Sequence, residues 1–369
     1  MRAHTTALEN VLRDSHSQRL IVDVFHGSDR VMQGLELTDW EIEFDLTRDV
    51  KMSGGATIAY QSVSGESLVP TGTEGVLSPF KARLLLTMEI TAGDFTELIT
   101  IGWAKVIGAP SGVDYHVTTT FGRFVTASVV QIEWRGLEEI VRRRGFRSPE
   151  QPPSLTSTYA ELRRITGMTV VNTVADVALP SGITYETNQG GRLAGVQTLW
   201  DNLGCVGVID QSGAWVGVPK VPGASVGTLS LGKTGTVVDV GYEVDTDTVY
   251  NCVVGTFEDT DRNPIYAVAE VKSGPLATTG LYGENTRYYS SPLVQTQAGA
   301  DSAVQAILSQ SIGGQTYLVP IKCISNPLYE LGDVLTLAKW SRPLQGRMIT
   351  ARLTPDAVME VTLEVQRTF

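Results

Sequence analysis

Hydrophobic and polar positions alternate along much of this chain. Within Trp40–Leu46, Trp40, Ile42, Phe44 and Leu46 fall on one side and Glu41, Glu43 and Asp45 on the other. This period of two predicts a strand with one buried face. Near the other end Met359, Val361, Leu363 and Val365 alternate with Glu360, Thr362, Glu364 and Gln366 in the same way. Leu20–Phe25, Leu84–Ile90, Leu98–Ile107, Tyr115–Phe121 and Ser128–Trp134 predict further strands, and the polar stretch Gln61–Ser78 predicts a long loop. At least six regularly spaced strands predict a barrel or sandwich over residues 18–136, after a helical arm, 1–17, with Leu8, Val11 and Leu12 at helical spacing.

The period changes after Trp134. Gly136–Arg144 and Gly191–Leu203 predict helices, as does Thr156–Thr166 with Tyr159, Leu162 and Ile165 on one side. Pro149, Pro152 and Pro153 mark a linker, and Asp210–Gly213 a hairpin turn. Residues 137–229 therefore predict a helical linker and a small α/β domain. The block 230–369 returns to strands: Thr236–Val240, Val249–Phe257, Ile265–Val271, Thr316–Ile324, Val334–Lys339, Arg347–Leu353 and Ala357–Gln366. One helix, Ala298–Gln310, interrupts them, with Ala300, Ala303, Val304, Ile307 and Leu308 on one face. The expected fold class is mainly β with an α/β insert: two β-barrel-like domains flanking a small mixed domain, the helix covering the second barrel.

Composition narrows the function classes. The chain has 369 residues, 42% hydrophobic and 19% charged, which suits a folded protein of two or three domains. A formal charge of −11 argues against tight nonspecific binding of DNA, which requires a basic surface. Cys205, Cys252 and Cys323 form no Cys-x-x-Cys pair and read as buried free thiols. Met1–Arg13 lacks the apolar core of a signal peptide, and no apolar run is long enough to span a bilayer.

Several motifs invite a chemical reading. Gly227–Thr234 matches G-x-x-x-x-G-K-[ST] letter for letter, with Lys233 and Thr234 in the phosphate- and magnesium-binding places. That motif requires a following helix, whereas Thr236–Val240 predicts a strand. Gly223–Gly227 matches G-x-S-x-G around Ser225, but the last histidine is His116, so the order Ser, Asp, His cannot be built. His4, His16, His26 and His116 include no pair at zinc-binding spacing. Glu258–Asn263 lacks the glycine and terminal glutamate of a calcium loop and reads as a hairpin turn. Arg142, Arg143, Arg144 and Arg147 are the one basic cluster, read as a solvated helix end with partner contact as the alternative. No catalytic, cofactor-binding or metal residue is nominated.

Four segments carry a family resemblance. Gln297–Leu337 runs helix, strand, Asn326-Pro327 corner, Gly332-Asp333, strand. This order resembles the last barrel domain of tailed-phage baseplate and tail-tip hub proteins. Residues 17–50 resemble the start of actinobacterial-phage minor tail proteins, 191–219 the hub insert, and Val249-Tyr250-Asn251 the first strand of the second hub barrel. The resemblance implies a non-enzymatic, trimeric ring at the virion tail tip. Two barrels per chain would supply six quasi-equivalent units, joining a sixfold tail tube to a threefold tip around the channel for DNA and the tape-measure protein. Implied partners are further copies of the chain, distal tail and tail-tube proteins, the tape-measure protein and other tail-tip proteins. No cofactor, no sequence-specific nucleic-acid binding and no membrane insertion is implied. The chain ends just after its last strand, so wall-degrading or receptor-binding domains are expected in other proteins. The alternative is a carbohydrate-binding receptor-recognition tail protein in which Trp103, Tyr115, Tyr282, Tyr288 and Tyr289 stack on sugars.

Overall fold

The computed structural model describes residues 1–14, 16–62, 65–233, 235–241, 249–259, 262–291, 294–313, 316–338 and 343–366. Ser15, Val63, Ser64, Thr234, Thr260, Asp261, Gly314, Gln315 and Lys339, which belong to segments named above, lie outside them. The fold is mainly β, 48% strand and 14% helix. It divides into two compact units. The first is Met1–Asp239 with Ile321–Pro343 and Arg347–Thr362; the second is Val240–Pro320 with Leu344–Gly346 and Leu363–Phe369.

The first unit begins with a short helix, α1 (Thr6–Val11), whose N-cap Thr5 accepts a hydrogen bond from the Leu8 amide at 3.1 Å. Six antiparallel strands follow: β1 (Ser17–His26), β2 (Asp29–Asp45), β3 (Met52–Gln61), β4 (Ala82–Ala92), β5 (Phe95–Thr119) and β6 (Gly122–Gly136). β1 pairs with β4 on one edge and with β2 on the other, so the path β1-β4-β5-β6-β3-β2 returns to its start and closes a barrel. Alternation places Leu20, Val22, Ile42, Ile58, Leu86 and Val130 in the buried set, each at most 1% exposed. Closure leaves few strand edges open to solvent.

The strands expected here and those observed differ in three places, the first being that β2 starts at Asp29, well before the expected Trp40. Leu98–Ile107 and Tyr115–Phe121 are not separate strands; both fall largely within the 25-residue β5. Bulges at Val106/Gly108 and Gly108/Ser111 break its alternation, so Gly108-Ala109-Pro110 imitates a turn. β3 was not anticipated, because Ser53-Gly54-Gly55-Ala56 has the composition of a loop. Its glycine is a packing requirement. A Cβ on Gly54 would lie 2.2 Å from the Glu41 carbonyl oxygen and 2.8 Å from the Trp134 ring.

β2 uses one edge twice. Its first half pairs with β1, and its end, Ile42–Asp45, pairs with β16 (Leu344–Leu353). The register shift between Thr38 and Glu41, with Asp39 at φ 49°, makes the bend that separates the halves. From β16 the sheet continues through β17 (Val358–Gln366) and β14 (Thr316–Ile324) to β10 (Val237–Val240). Strand β15 (Val334–Ala338) pairs with β16 and, in parallel, with β9 (Ser225–Ser230).

The same unit holds α2 (Glu138–Arg143), α3 (Thr158–Thr166), α4 (Gly191–Asn202) and the hairpin β7 (Cys205–Ile209)–β8 (Trp215–Pro219). Ser157 caps α3 by accepting from the Ala160 amide at 3.0 Å, and Gly167 ends it at φ 64°. Tyr159, Leu162, Ile165, Val196, Trp200 and Trp215 form their common core.

The second unit holds a three-stranded sheet backed by one helix, beside end segments of β14, β16 and β17. β11 (Cys252–Glu258) pairs antiparallel with β12 (Pro264–Glu270) and in parallel with β13 (Thr286–Ser290), a strand the sequence did not announce. Helix α5 (Gln297–Gly313) lays Ala300, Val304 and Leu308 against Val253, Phe257, Ala267 and Ala269. Burying Val304 and Leu308 contributes about 1.5–3 kcal/mol each. The run Gln297–Leu337 is thus shared out: α5 belongs to this unit, and the Asn326-Pro327 corner and β15 to the first.

Candidate functional site

The residues that drew a chemical reading are placed as follows. Ser225 opens β9, where its hydroxyl donates to the Gly227 carbonyl at 3.0 Å and lies 2.8 Å from the Thr336 hydroxyl. Gly227 sits inside that strand, and a Cβ there would come 2.9 Å from the Tyr329 ring. Ser225–Ser230 therefore belongs to a sheet, where the phosphate-binding pattern needs a loop and the nucleophile pattern a sharp turn before a helix. Asp259 accepts from both the backbone and the side-chain amide of Asn263, at 2.8 and 3.0 Å, in the turn joining β11 to β12. Among the described residues no group of His, Cys, Asp and Glu could hold a metal ion, and no helix is long and apolar enough to cross a membrane. All three cysteines are buried, and burial pushes the Cys323 thiol up to about 12.

The basic cluster divides into separate roles. Glu139 is 1% exposed, and Arg142 and Arg143 reach it at 2.7 and 2.6 Å. Arg135 joins them at 3.4 Å. Burial raises the Glu139 pKa, but the hydrogen bonds from Arg142 and Arg143 outweigh it and hold the carboxyl below its ordinary range. Arg144 instead donates to the Thr166 carbonyl, bracing α2 on the end of α3. Lys105 lies beside a shallow pocket lined by Phe80, Ile107, Ile140, Arg143 and Arg144, and burial with the nearby Arg143 and Arg83 lowers its pKa to about 8.

A cavity of about 330 Å³ lies within the first unit, lined by Phe44, Ile101, Trp103, Val208, Tyr329 and Leu331 among others. Three buried charged groups border it. Arg2 donates to the carbonyls of Pro327 at 2.5 Å, Tyr329 at 2.9 Å and Ile101 at 3.1 Å, so the N-terminal segment clamps the proline corner. Lys51 donates to the Leu46 and Arg48 carbonyls at 2.8 and 2.5 Å. Burial pushes the Glu138 carboxyl up to about 7, against the pull of Lys51 and of the backbone amides of Glu138, Lys51 and Ile209. Arg2 and Lys51 are spent on backbone carbonyls, which suits a braced seam better than a reaction centre. Arg2, Glu138 and Tyr329 are too far apart in sequence for any local motif to have drawn attention to them.

The aromatic residues considered for sugar stacking divide between the two units, Trp103 and Tyr115 in the first and Tyr282, Tyr288 and Tyr289 in the second. Trp103 packs on Phe25, with the Arg83 guanidinium over its ring. Tyr289 packs edge-on against Phe257, and the Tyr282 hydroxyl donates to the Val249 carbonyl at 2.6 Å. Tyr288 is 78% exposed on the sheet face opposite α5, and Tyr115 stands on the free part of β5.

That part of β5, with the start of β6, is the most exposed apolar feature of the first unit. β5 pairs with β4 only as far as Lys105, then continues to Thr119 with β6 as its one strand partner among the described residues. The result is a two-stranded arm, tipped by Phe121 at 91% exposure.

The architecture just described has known relatives. Over 94% of this chain the fold is similar to that of the tail protein of Neisseria meningitidis MC58. That match covers 96% of the relative at 11% identity and a TM-score of 0.55. The 43 kDa tail protein of prophage MuSo2 from Shewanella oneidensis matches with 14% identity over 94% of this chain and 98% of its own, at 0.56. This is the fold of phage tail proteins. The tail-protein fold also aligns with 55% of a chain in the Francisella PdpA-VgrG complex, over 96% of this one, at 10% identity and a TM-score of 0.54. No family model matches the sequence, and no curated protein matches it.

Proposed function

We propose that this chain is a structural hub of a bacteriophage tail tip or baseplate, non-enzymatic, acting as a ring of three copies between the tail tube and the tip. The observation that carries the reading is the near full-length correspondence with phage tail proteins of similar size, 94% of this chain against 96% and 98% of theirs. The order of motifs along the sequence, including the resemblance of residues 17–50 to actinobacterial-phage minor tail proteins, points the same way. In this reading the barrel and the second unit are the two building blocks that each copy contributes. The ring encloses the channel for DNA and the tape-measure protein and meets distal tail and other tail-tip proteins at its rims. A net charge of −11 is compatible with a channel wall that does not retain phosphate.

The test is mass and shape. The purified chain is expected at three times 39.8 kDa, about 119 kDa, as a ring with a central opening in negative-stain images. A monomer that binds glycans on an array, with no ring at any concentration, would overturn the hub in favour of a receptor-recognition protein.

A further inference from the structure

The outward face of the β5–β6 ribbon changes character along its length. On the barrel, β6 turns Gln131 and Glu133 to solvent. Beyond Val130 the same face presents Val129, Ala127 and Phe124. Opposite them in register stand Val113, Tyr115 and Val117. Val113, Tyr115, Val117 and Phe124 are 52, 56, 44 and 43% exposed. The inward face is already occupied: Gly112 faces Val69 and Ser128 receives the Leu68 amide, so the loop carrying Leu68 and Val69 covers it. Gly65 lies against part of the Phe124 ring, and the rest of the apolar side is open among the described residues, so the arm is an amphipathic ribbon; an isolated two-stranded ribbon is marginal in water.

We propose that this arm is the contact through which one copy of the chain engages the next. The proposal rests on the hub reading and deepens it by naming the surface. Three features of the arm select a second copy as the occupant. First is charge. Two chains of net −11 repel each other, yet residues 106–131 carry one acid, Asp114, and one base, Arg123. The ribbon is thus an electrically neutral approach for like-charged partners. Second is the open edge. From Val106 to Thr119 the outer edge of β5 has no strand beside it among the described residues, and an edge strand accepts a strand from a neighbour. Third is reach. Residues 110–119 of β5 extend on the order of 30 Å, comparable to the width of a small domain. A ribbon of that length crosses a neighbour's flank. An apolar arm also needs its cover from the moment of synthesis, and the partner always present in equal amount is another copy.

The experiment is sedimentation equilibrium of the full chain beside the double variant Val117→Glu, Phe124→Lys, whose opposite charges face each other across the ribbon. Both positions are exposed, so circular dichroism of the variant should match the parent. The expected result is a trimeric parent and a variant at least 100-fold weaker in self-association. A variant that stays trimeric with unchanged affinity overturns the arm as the contact and leaves the hub reading standing. A parent that is monomeric at tens of micromolar overturns both. If the variant fails to fold, hydrogen exchange on the parent decides. Amides of residues 113–126 should gain protection as concentration rises through the association range, and unchanged exchange there overturns the proposal.

Discussion

Asn251 offers the sharpest test of how the second unit is held together. It is fully buried, and its side chain bridges three backbone groups of the 271–285 loop. Nδ2 donates to the Leu276 carbonyl at 3.0 Å and the Gly283 carbonyl at 2.6 Å, and Oδ1 accepts from the Asn285 amide at 2.7 Å. Asn251→Ala removes all three bonds, at a net of about 1 kcal/mol each, and leaves two carbonyls and an amide buried without partners, so a loss of about 3–5 kcal/mol is expected. Asn251→Asp has the same shape and separates hydrogen bonding from packing. It keeps the acceptor but points a second oxygen at two carbonyl oxygens, which disfavours the ionised form and raises the carboxyl's folded pKa above its ordinary ~3.9. The folded state then holds a proton that the unfolded chain has released. Stability must therefore fall as pH rises from ~4 towards the folded pKa, by up to ~1.4 kcal/mol per unit. Urea unfolding followed at pH 4 to 8, with hydrogen exchange across 271–286, measures both effects. An Asp variant whose stability tracks the parent at every pH would refute the bridging role.

Two further outcomes follow from the first unit. Glu138→Gln should stabilise the protein by about 3–4 kcal/mol above pH 7 and change little near pH 4, because the buried carboxyl, pushed up to about 7, costs stability as pH climbs from its unfolded value of ~4.3 to that point; thermal unfolding across pH 4–8 reads the difference. Gly54→Ala should cost about 1–3 kcal/mol or more, since the new methyl meets the Glu41 carbonyl oxygen at 2.2 Å, backbone that cannot rotate away; urea midpoints compare the variants.

What the sequence disclosed followed from local periodicity. β17, the end of β2 and helices α3 and α4 stand where alternation or helical spacing placed them, because each buries one face and leaves the other more exposed. β13 was hidden, since Thr286, Arg287 and Ser290 carry little hydrophobic signal and the strand is defined by its parallel pairing with β11. The arm was half visible. Tyr115–Phe121 read as a strand, but nothing local says that its far edge lacks a neighbour, because that depends on where β4 stops. The buried charges of the cavity left no trace either, as Arg2, Lys51 and Glu138 come together through tertiary contacts alone. The failed motifs teach the converse. Gly227 was drawn into a nucleotide-binding pattern, whereas its smallness makes room for the Tyr329 ring.

The clamp of Arg2 on the Pro327 and Tyr329 carbonyls has a consequence for the order of events at the ribosome. The first unit joins residues more than 300 apart: Arg2 with the corner, Gln18 with the Thr354 and Asp356 carbonyls, β2 with β16. Such contacts form only after nearly the whole polypeptide has emerged. The core of the second unit, from Val253 to Leu308, is synthesised in between and depends on nearer neighbours. A nascent chain can therefore close the β1–β6 barrel and the core of the second unit from nearer neighbours, whereas the clamp and the β2–β16 pairing must wait for the last strands, a sequence-distant closure that slows folding.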